Sequence, residues 1–177
     1  MHRLFVAIRP PTAIREALSW LMEGVEGARW QDDDQLHLTL RFIGEVETRM
    51  AEDIASALSS VRSPPLDLHV NGVGTFERRG RADTLWAGVG PREGLMALHK
   101  KIDHAVSGCG LPPETRTYAP HITVARLGRM QRGLSDFIVR HNAFDGGRFT
   151  AQDFGLYTSQ IAAEGARYEC VARYNFR

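Results

Sequence analysis

Apolar runs and helical stripes succeed one another along this chain in two rounds. Leu4 to Ile8 is a short apolar run with β-branched and aromatic members, which predicts a buried strand. Pro10-Pro11-Thr12 closes it and opens a helix with Thr12 as N-cap. Ile14, Leu18 and Leu21 then recur at helical spacing until Gly24 or Gly27. A polar loop at Asp32-Asp33-Asp34 precedes Leu36 to Gly44, which alternates as a strand and closes on glycine. Met50, Ile54, Leu58 and Val61 mark a second helix. Pro64-Pro65 breaks it, and Leu66, Leu68 and Val70 alternate as a strand.

The second round repeats this order. Leu85 to Val89 reads as a strand, and Leu95, Leu98, Ile102 and Val106 as a helical stripe stopped by Gly108 and Gly110. A loop with Pro112-Pro113 leads through Tyr118-Ala119-Pro120 into a strand from His121 to Gly128. Leu134, Phe137, Ile138 and His141 predict a shorter helix. Phe149 to Thr158 and Tyr168 to Phe176 read as a closing antiparallel pair joined through Ala162 to Gly165. Each half thus runs strand, helix, strand, helix, strand, with one strand added at the end. No low-complexity linker separates the halves. Gly72 to Gly80 is the expected crossover between two lobes of one unit spanning residues 1–177.

Composition narrows the function classes. At 177 residues the chain is long enough to bury a sizeable core without disulfide or metal. Lys plus Arg number 22 and Asp plus Glu 21, a net charge of +1. That excludes an extended grip on nucleic acid and leaves room only for small, local contacts. Cys109 and Cys170 lie far apart in no paired motif, which excludes a disulfide framework and fits a reducing compartment. The apolar run at the N-terminus is too short for a signal-peptide core, and no stretch is long enough to span a bilayer. A soluble, cytoplasmic monomer with no membrane contact is the expectation.

The chemistry lies in a repeated segment. His37-Leu38-Thr39-Leu40 and His121-Ile122-Thr123-Val124 stand 84 residues apart, each with a glycine seven positions after the histidine. One His-x-Thr match is noise. Two with the same apolar pattern, at matching places in two half-repeats, indicate an internal duplication. On a strand, residues i and i+2 share a face, so His37 with Thr39 and His121 with Thr123 point one way and the apolar residues the other. Related by a pseudo-twofold axis, two imidazoles and two hydroxyls converge on one groove. In-line displacement at phosphorus needs a base at the attacking oxygen and an acid at the departing one, which two imidazoles supply near neutral pH. Threonine hydroxyls suit the non-bridging oxygens. No metal or other cofactor is required.

These segments, with Arg3 to Ile8, Leu85-Trp86-Ala87-Gly88-Val89, Tyr118 to Arg126 and Thr158 to Tyr168, resemble the two-histidine (2H) phosphoesterase superfamily. Within it the similarity is to the RNA 2′,3′-cyclic phosphodiesterases, also called 2′-5′ RNA ligases. The resemblance implies an α+β fold, bilobal and pseudo-symmetric, with two antiparallel-rich sheets and outer helices around a groove carrying both His-x-Thr strands. It implies metal-free hydrolysis of a ribose 2′,3′-cyclic phosphate at an RNA end, tRNA fragments among them, to a 2′-phosphate. Reversible 2′-5′ joining would use the same site. Carried over, His37 would be the proton donor to O3′, His121 the proton acceptor from water, and Thr39 and Thr123 the holders of phosphate oxygens. Action on small cyclic nucleotides or 2′-5′ oligoadenylate, and non-catalytic binding of RNA ends, stay open as alternatives.

Further candidates come from position. Arg41 shares the parity of His37 and Thr39 and is placed to reach the phosphate. Arg126 belongs to the resembling signature, yet strict alternation turns it away from the groove unless the strand bends. Phe42 has core parity. Tyr118 is placed to stack on a base or to pack beside Pro120. Ala119 stands where many relatives carry a larger or basic residue. Arg78-Arg79-Gly80-Arg81 is the densest basic cluster, with RNA phosphates or solvent as its partner. His99 and His104, five apart on a helix, miss the spacing of a zinc pair and read as surface. His2, His69 and His141 have no partner pattern.

Overall fold

Nine strands and four α-helices make up the computed structural model of residues 1–177. They follow in the order β1 (His2–Ile8), α1 (Thr12–Ser19), β2 (Glu26–Trp30), β3 (Leu38–Val46), α2 (Thr48–Leu58), β4 (Leu66–Arg78) and β5 (Arg81–Gly90). The chain continues through α3 (Arg92–Gly108), β6 (His121–Arg132), α4 (Leu134–His141), β7 (Asp145–Ala151), β8 (Asp153–Ala162) and β9 (Gly165–Asn175). The apolar positions that predict the four helices are the ones they bury: Ile14 and Leu18 in α1, Ile54 and Leu58 in α2, Leu95, Leu98, Ile102 and Val106 in α3, and Phe137 in α4.

Local expectations are corrected at four places. Pro11, not Thr12, is the N-cap of α1, and no side chain caps that helix. Residues 72–80 are no crossover loop: β4 runs on to Arg78 and turns straight back into β5 as a hairpin. The expected strand from Phe149 to Thr158 is two strands that break at Gln152. β2 has no apolar alternation to announce it, and the ladder of β6 captures it through Ala28, Arg29 and Trp30.

All strand pairs are antiparallel, in the order β7-β4-β5-β6-β3-β1-β8-β9, with β2 attached to β6. Two four-stranded halves meet between β3 and β6 through one residue pair, Leu38 opposite Ile122. The lobes are not the two halves of the sequence. β4, from the first repeat, lies beside β5, and β8, from the second, lies beside β1. Helices cross over as well: α3 packs on β3 and α2, while α1 packs on β7. One continuous apolar cluster runs beneath both lobes, from Leu4 and Leu40 to Val70 and Val124. No helix is long and apolar enough to cross a membrane.

Candidate active site

The seam between the lobes falls on the repeated motif. Leu38 and Ile122, the residues between His and Thr in each copy, pair across it and are fully buried. Alternation then turns His37 with Thr39, and His121 with Thr123, to the opposite face. His37 lies just before β3 and His121 begins β6.

Past the threonines, both strands carry a β-bulge at the same place in the repeat. Val6 pairs with Arg41 and Ala7 with Thr39, so Leu40 is an extra residue on β3. Leu85 pairs with Ala125 and Trp86 with Thr123, so Val124 is the extra residue on β6. A bulge takes a carbonyl out of the ladder, and a buried carbonyl needs another donor. His99 Nδ1–H donates to the Leu40 carbonyl at 2.6 Å, and the Gln31 backbone N–H to the Val124 carbonyl at 2.9 Å.

The bulges reverse the parity of the residues beyond them. Arg126, expected to face away, lines the groove. Phe42, its repeat partner, leaves the core and is 42% exposed. Arg41, expected to reach a phosphate, is tied down instead. It pairs with Asp103 at 2.7 Å and Glu114 at 3.7 Å, and donates to the carbonyls of Phe42 and Pro112. Its guanidinium is spent on holding the wall, although the side chain borders the groove.

The two histidines sit in unlike surroundings. His37 is 6% exposed, and neither ring nitrogen makes a hydrogen bond of good geometry. Its ring is boxed edge-on by Tyr157, Tyr168 and Phe5 at 4.7, 5.6 and 5.9 Å. Burial, and after it the charge of Arg9, pushes its pKa down to about 4, against a small upward pull from the Gln35 carbonyl. His121 is half-buried against Phe76 at 4.6 Å and Trp86 at 6.4 Å. A Cβ at Gly74 would collide with the Trp86 ring, so the glycine seats that wall. Burial also lowers the His121 pKa, with the Ala119 carbonyl opposing and Arg126 adding to the fall. Its Nδ1–H donates to the Ala119 carbonyl at 2.6 Å, which leaves Nε2 as the nitrogen able to take a proton.

His37 therefore makes stability depend on pH. The unfolded ring titrates near 6.5 and the folded ring near 4, so the unfolded chain binds the extra proton between those values. Stability is fully present above pH 6.5 and falls as pH drops toward 4, by about 3 kcal/mol from this residue. His37→Gln should flatten that part of the curve in urea titrations across this window. An unchanged slope would mean that the ring is hydrated.

Two compartments open on the groove. The wider, about 920 Å³, is lined by His121, Phe76, Thr84, Tyr118 and Arg78 among others. The narrower, about 210 Å³, holds His37, Phe5, Arg3, Gln35 and Tyr168. Thr39, Thr123, Phe42 and Arg126 line both. Arg126 is steered by a bond from Nη1 to the Thr84 hydroxyl at 3.0 Å, and that hydroxyl donates to Asp83 at 2.9 Å.

A family model described as the 2′-5′ RNA ligase superfamily matches residues 8–160. The chain belongs to that superfamily. An RNA 2′,3′-cyclic phosphodiesterase of Methanocaldococcus jannaschii is 29% identical over 176 residues, 97% of this chain and 99% of that protein. One of Escherichia coli is 28% identical over 177 residues, covering 98% and 96%. The crystal structure of E. coli LigT complexed with 3′-AMP superposes with a TM-score of 0.82 at 26% identity, over 99% of this chain and 98% of that one. TT0787 of Thermus thermophilus, at 23% identity and a TM-score of 0.80 over 99% of this chain and 98% of that one, shares the fold.

Within this superfamily's fold, other expectations resolve differently. Tyr118 borders the wide compartment with one face of its ring already covered. Its ring lies on His99 at 4.4 Å and 4°, and its hydroxyl donates to the Thr39 carbonyl at 3.0 Å. His99 is no surface residue but buried at 8% exposure, where it serves the bulge. His104 is exposed, as its spacing implies. The aromatic boxes around both histidines escape sequence reasoning. Phe5, Tyr157 and Phe76 sit on groove-facing positions of three separate strands, and that parity is the one signal for them.

Proposed function

We propose that this chain hydrolyses RNA 2′,3′-cyclic phosphate ends to 2′-phosphates, with His37 as acid and His121 as base. The observation that supports this most is the pair of His-x-Thr segments flanking one seam, where both compartments share Thr39 and Thr123. A cyclic phosphate at the seam would have the nucleoside in the wide compartment, whose volume lies in the range of small-molecule sites. Water attacks phosphorus and gives its proton to His121 Nε2. The P–O3′ bond breaks, and His37 supplies the proton to O3′, leaving a 3′-hydroxyl and a 2′-phosphate. Thr39, Thr123 and Arg126 stabilise the non-bridging oxygens as charge concentrates there. A ribose 5′-hydroxyl in place of water yields a 2′-5′ linkage by the same proton movements.

No cofactor enters this scheme, and no three His, Cys, Asp or Glu side chains cluster as a metal site would need. Purified protein in EDTA, given an RNA ending in a 2′,3′-cyclic phosphate, should release the 2′-phosphate and not the 3′-phosphate, read by chromatography. A 3′-phosphate product would reverse the leaving group. Activity lost in EDTA and restored by metal would sink the two-histidine scheme.

A further inference from the structure

The β4–β5 hairpin ends in a tip that is awkward without a partner. Arg79 and Gly80 are its central residues, with φ of 54° and 74°, the left-handed pair of a type I′ turn. Asn-Gly or Asp-Gly suits such a turn, and a non-glycine residue at positive φ is uncommon. Arg78 and Arg81 face each other directly as the last ladder pair. Like charges directly opposite destabilise a sheet. None of the three arginines makes an ion pair, so their charge at the tip is uncompensated by any carboxylate contact.

Position gives this charge a use. Arg78 lies two residues beyond Phe76, which packs on His121, and both line the wide compartment. Along a strand that step is about 7 Å outward from the reacting centre. The other charges on that wall balance or are engaged. Glu114 holds Arg41 and Arg116, Asp83 accepts from Thr84, and Glu77 is the one exposed carboxylate beside three guanidiniums.

We infer that the Arg78–Arg81 tip is a second phosphate site, which takes the phosphodiester on the 5′ side of the terminal nucleotide. The inference rests on the activity proposed above and adds to it a preference for polynucleotide ends over mononucleoside cyclic phosphates. The reacting phosphate sits at the seam, and the strand that continues from the 5′ oxygen leaves along the β4–β5 wall. A few guanidiniums suffice for one diester, which fits a chain whose net charge is +1.

The test compares adenosine 2′,3′-cyclic phosphate with an adenylate dinucleotide bearing the same end, for wild type and for R79Q/R81Q, which leaves Arg78 and the rest of the wide compartment's lining intact. Wild type should favour the dinucleotide in kcat/KM by about tenfold, and the variant should lose that advantage while keeping its mononucleotide rate. The salt slope for the dinucleotide should become shallower by about 0.7 per lost phosphate contact. A dinucleotide with an uncharged methylphosphonate linkage should behave as the mononucleotide does. Full advantage for the neutral linkage would mean that the second base is read, and would overturn the site. Equal losses of the variant on both substrates, or a wild type indifferent to length, would overturn it too. Hydrolysis of neither substrate by wild type would instead defeat the underlying activity, and this site with it. Relieving the opposed Arg78–Arg81 pair through Arg81→Gln should leave the melting temperature unchanged or raised, which separates a binding role from a structural one.

Discussion

His121→Ala and His37→Ala should each lower kcat on an RNA 2′,3′-cyclic phosphate by about 10²–10⁴, or roughly 3–5 kcal/mol of barrier. The two losses need not look alike. His121 has its Nδ1–H fixed on the Ala119 carbonyl, so the neutral ring presents a lone pair at Nε2 without rearrangement. That suits the base, which must be deprotonated and so sets the acid limb of the rate profile. His37 must carry a proton to act as the acid, and so sets the alkaline limb. In the free protein its aromatic box holds the pKa near 4, and a bound phosphate anion, by favouring the imidazolium, raises it. His37→Ala should thus flatten the alkaline limb, and His121→Ala the acid limb. The opposite pattern in rate profiles from about pH 4 to 8 would exchange the two roles. Two variants with wild-type turnover would place the chemistry elsewhere. Circular dichroism keeps misfolding apart from lost chemistry, a needed control because His37 fills a packed site.

Arg126→Ala should cost about 10²–10³ in kcat, the size of effect seen when one preorganised donor is removed from a developing oxyanion. The backbone puts this side chain in place. The extra residue at Val124 turns residue 126 into the groove, and the Thr84 hydroxyl then aims its guanidinium. Lysine keeps the charge but not the planar fork, so Arg126→Lys should recover part of the loss. Arg140→Ala, exposed on α4 and part of neither compartment, should change nothing. Full activity in Arg126→Ala, or an equal fall in Arg140→Ala, would show that the bulge serves packing alone.

The helices and the paired motif are legible in the sequence because they rest on local periodicity. The same stripes that mark Leu95 to Val106 as a helix are the residues it buries. Neighbour relations are not legible. Nothing in the pattern of β4 says that it pairs with β5 and β7 while its repeat partner joins the other lobe. Arg41, Phe42 and Arg126 depart from their expected places for one reason: alternation is exact only on an unbroken ladder. A single inserted residue exchanges the two faces, and the inserted residues, Leu40 and Val124, are as apolar as those around them. His99 defies its surface reading because its donor role becomes visible only once the Leu40 carbonyl is known to lack a ladder partner.

The exchange of strands between lobes also sets a timetable. A ribosome makes His37 early, but the strand that flanks β1 on its open side begins at Asp153, and two of the three rings that box the imidazole are Tyr157 and Tyr168. Until those residues emerge, β1 has an unpaired edge and the histidine stands in water with an ordinary affinity for protons. The nascent chain therefore carries both motifs before it carries two of the three rings that surround the first of them.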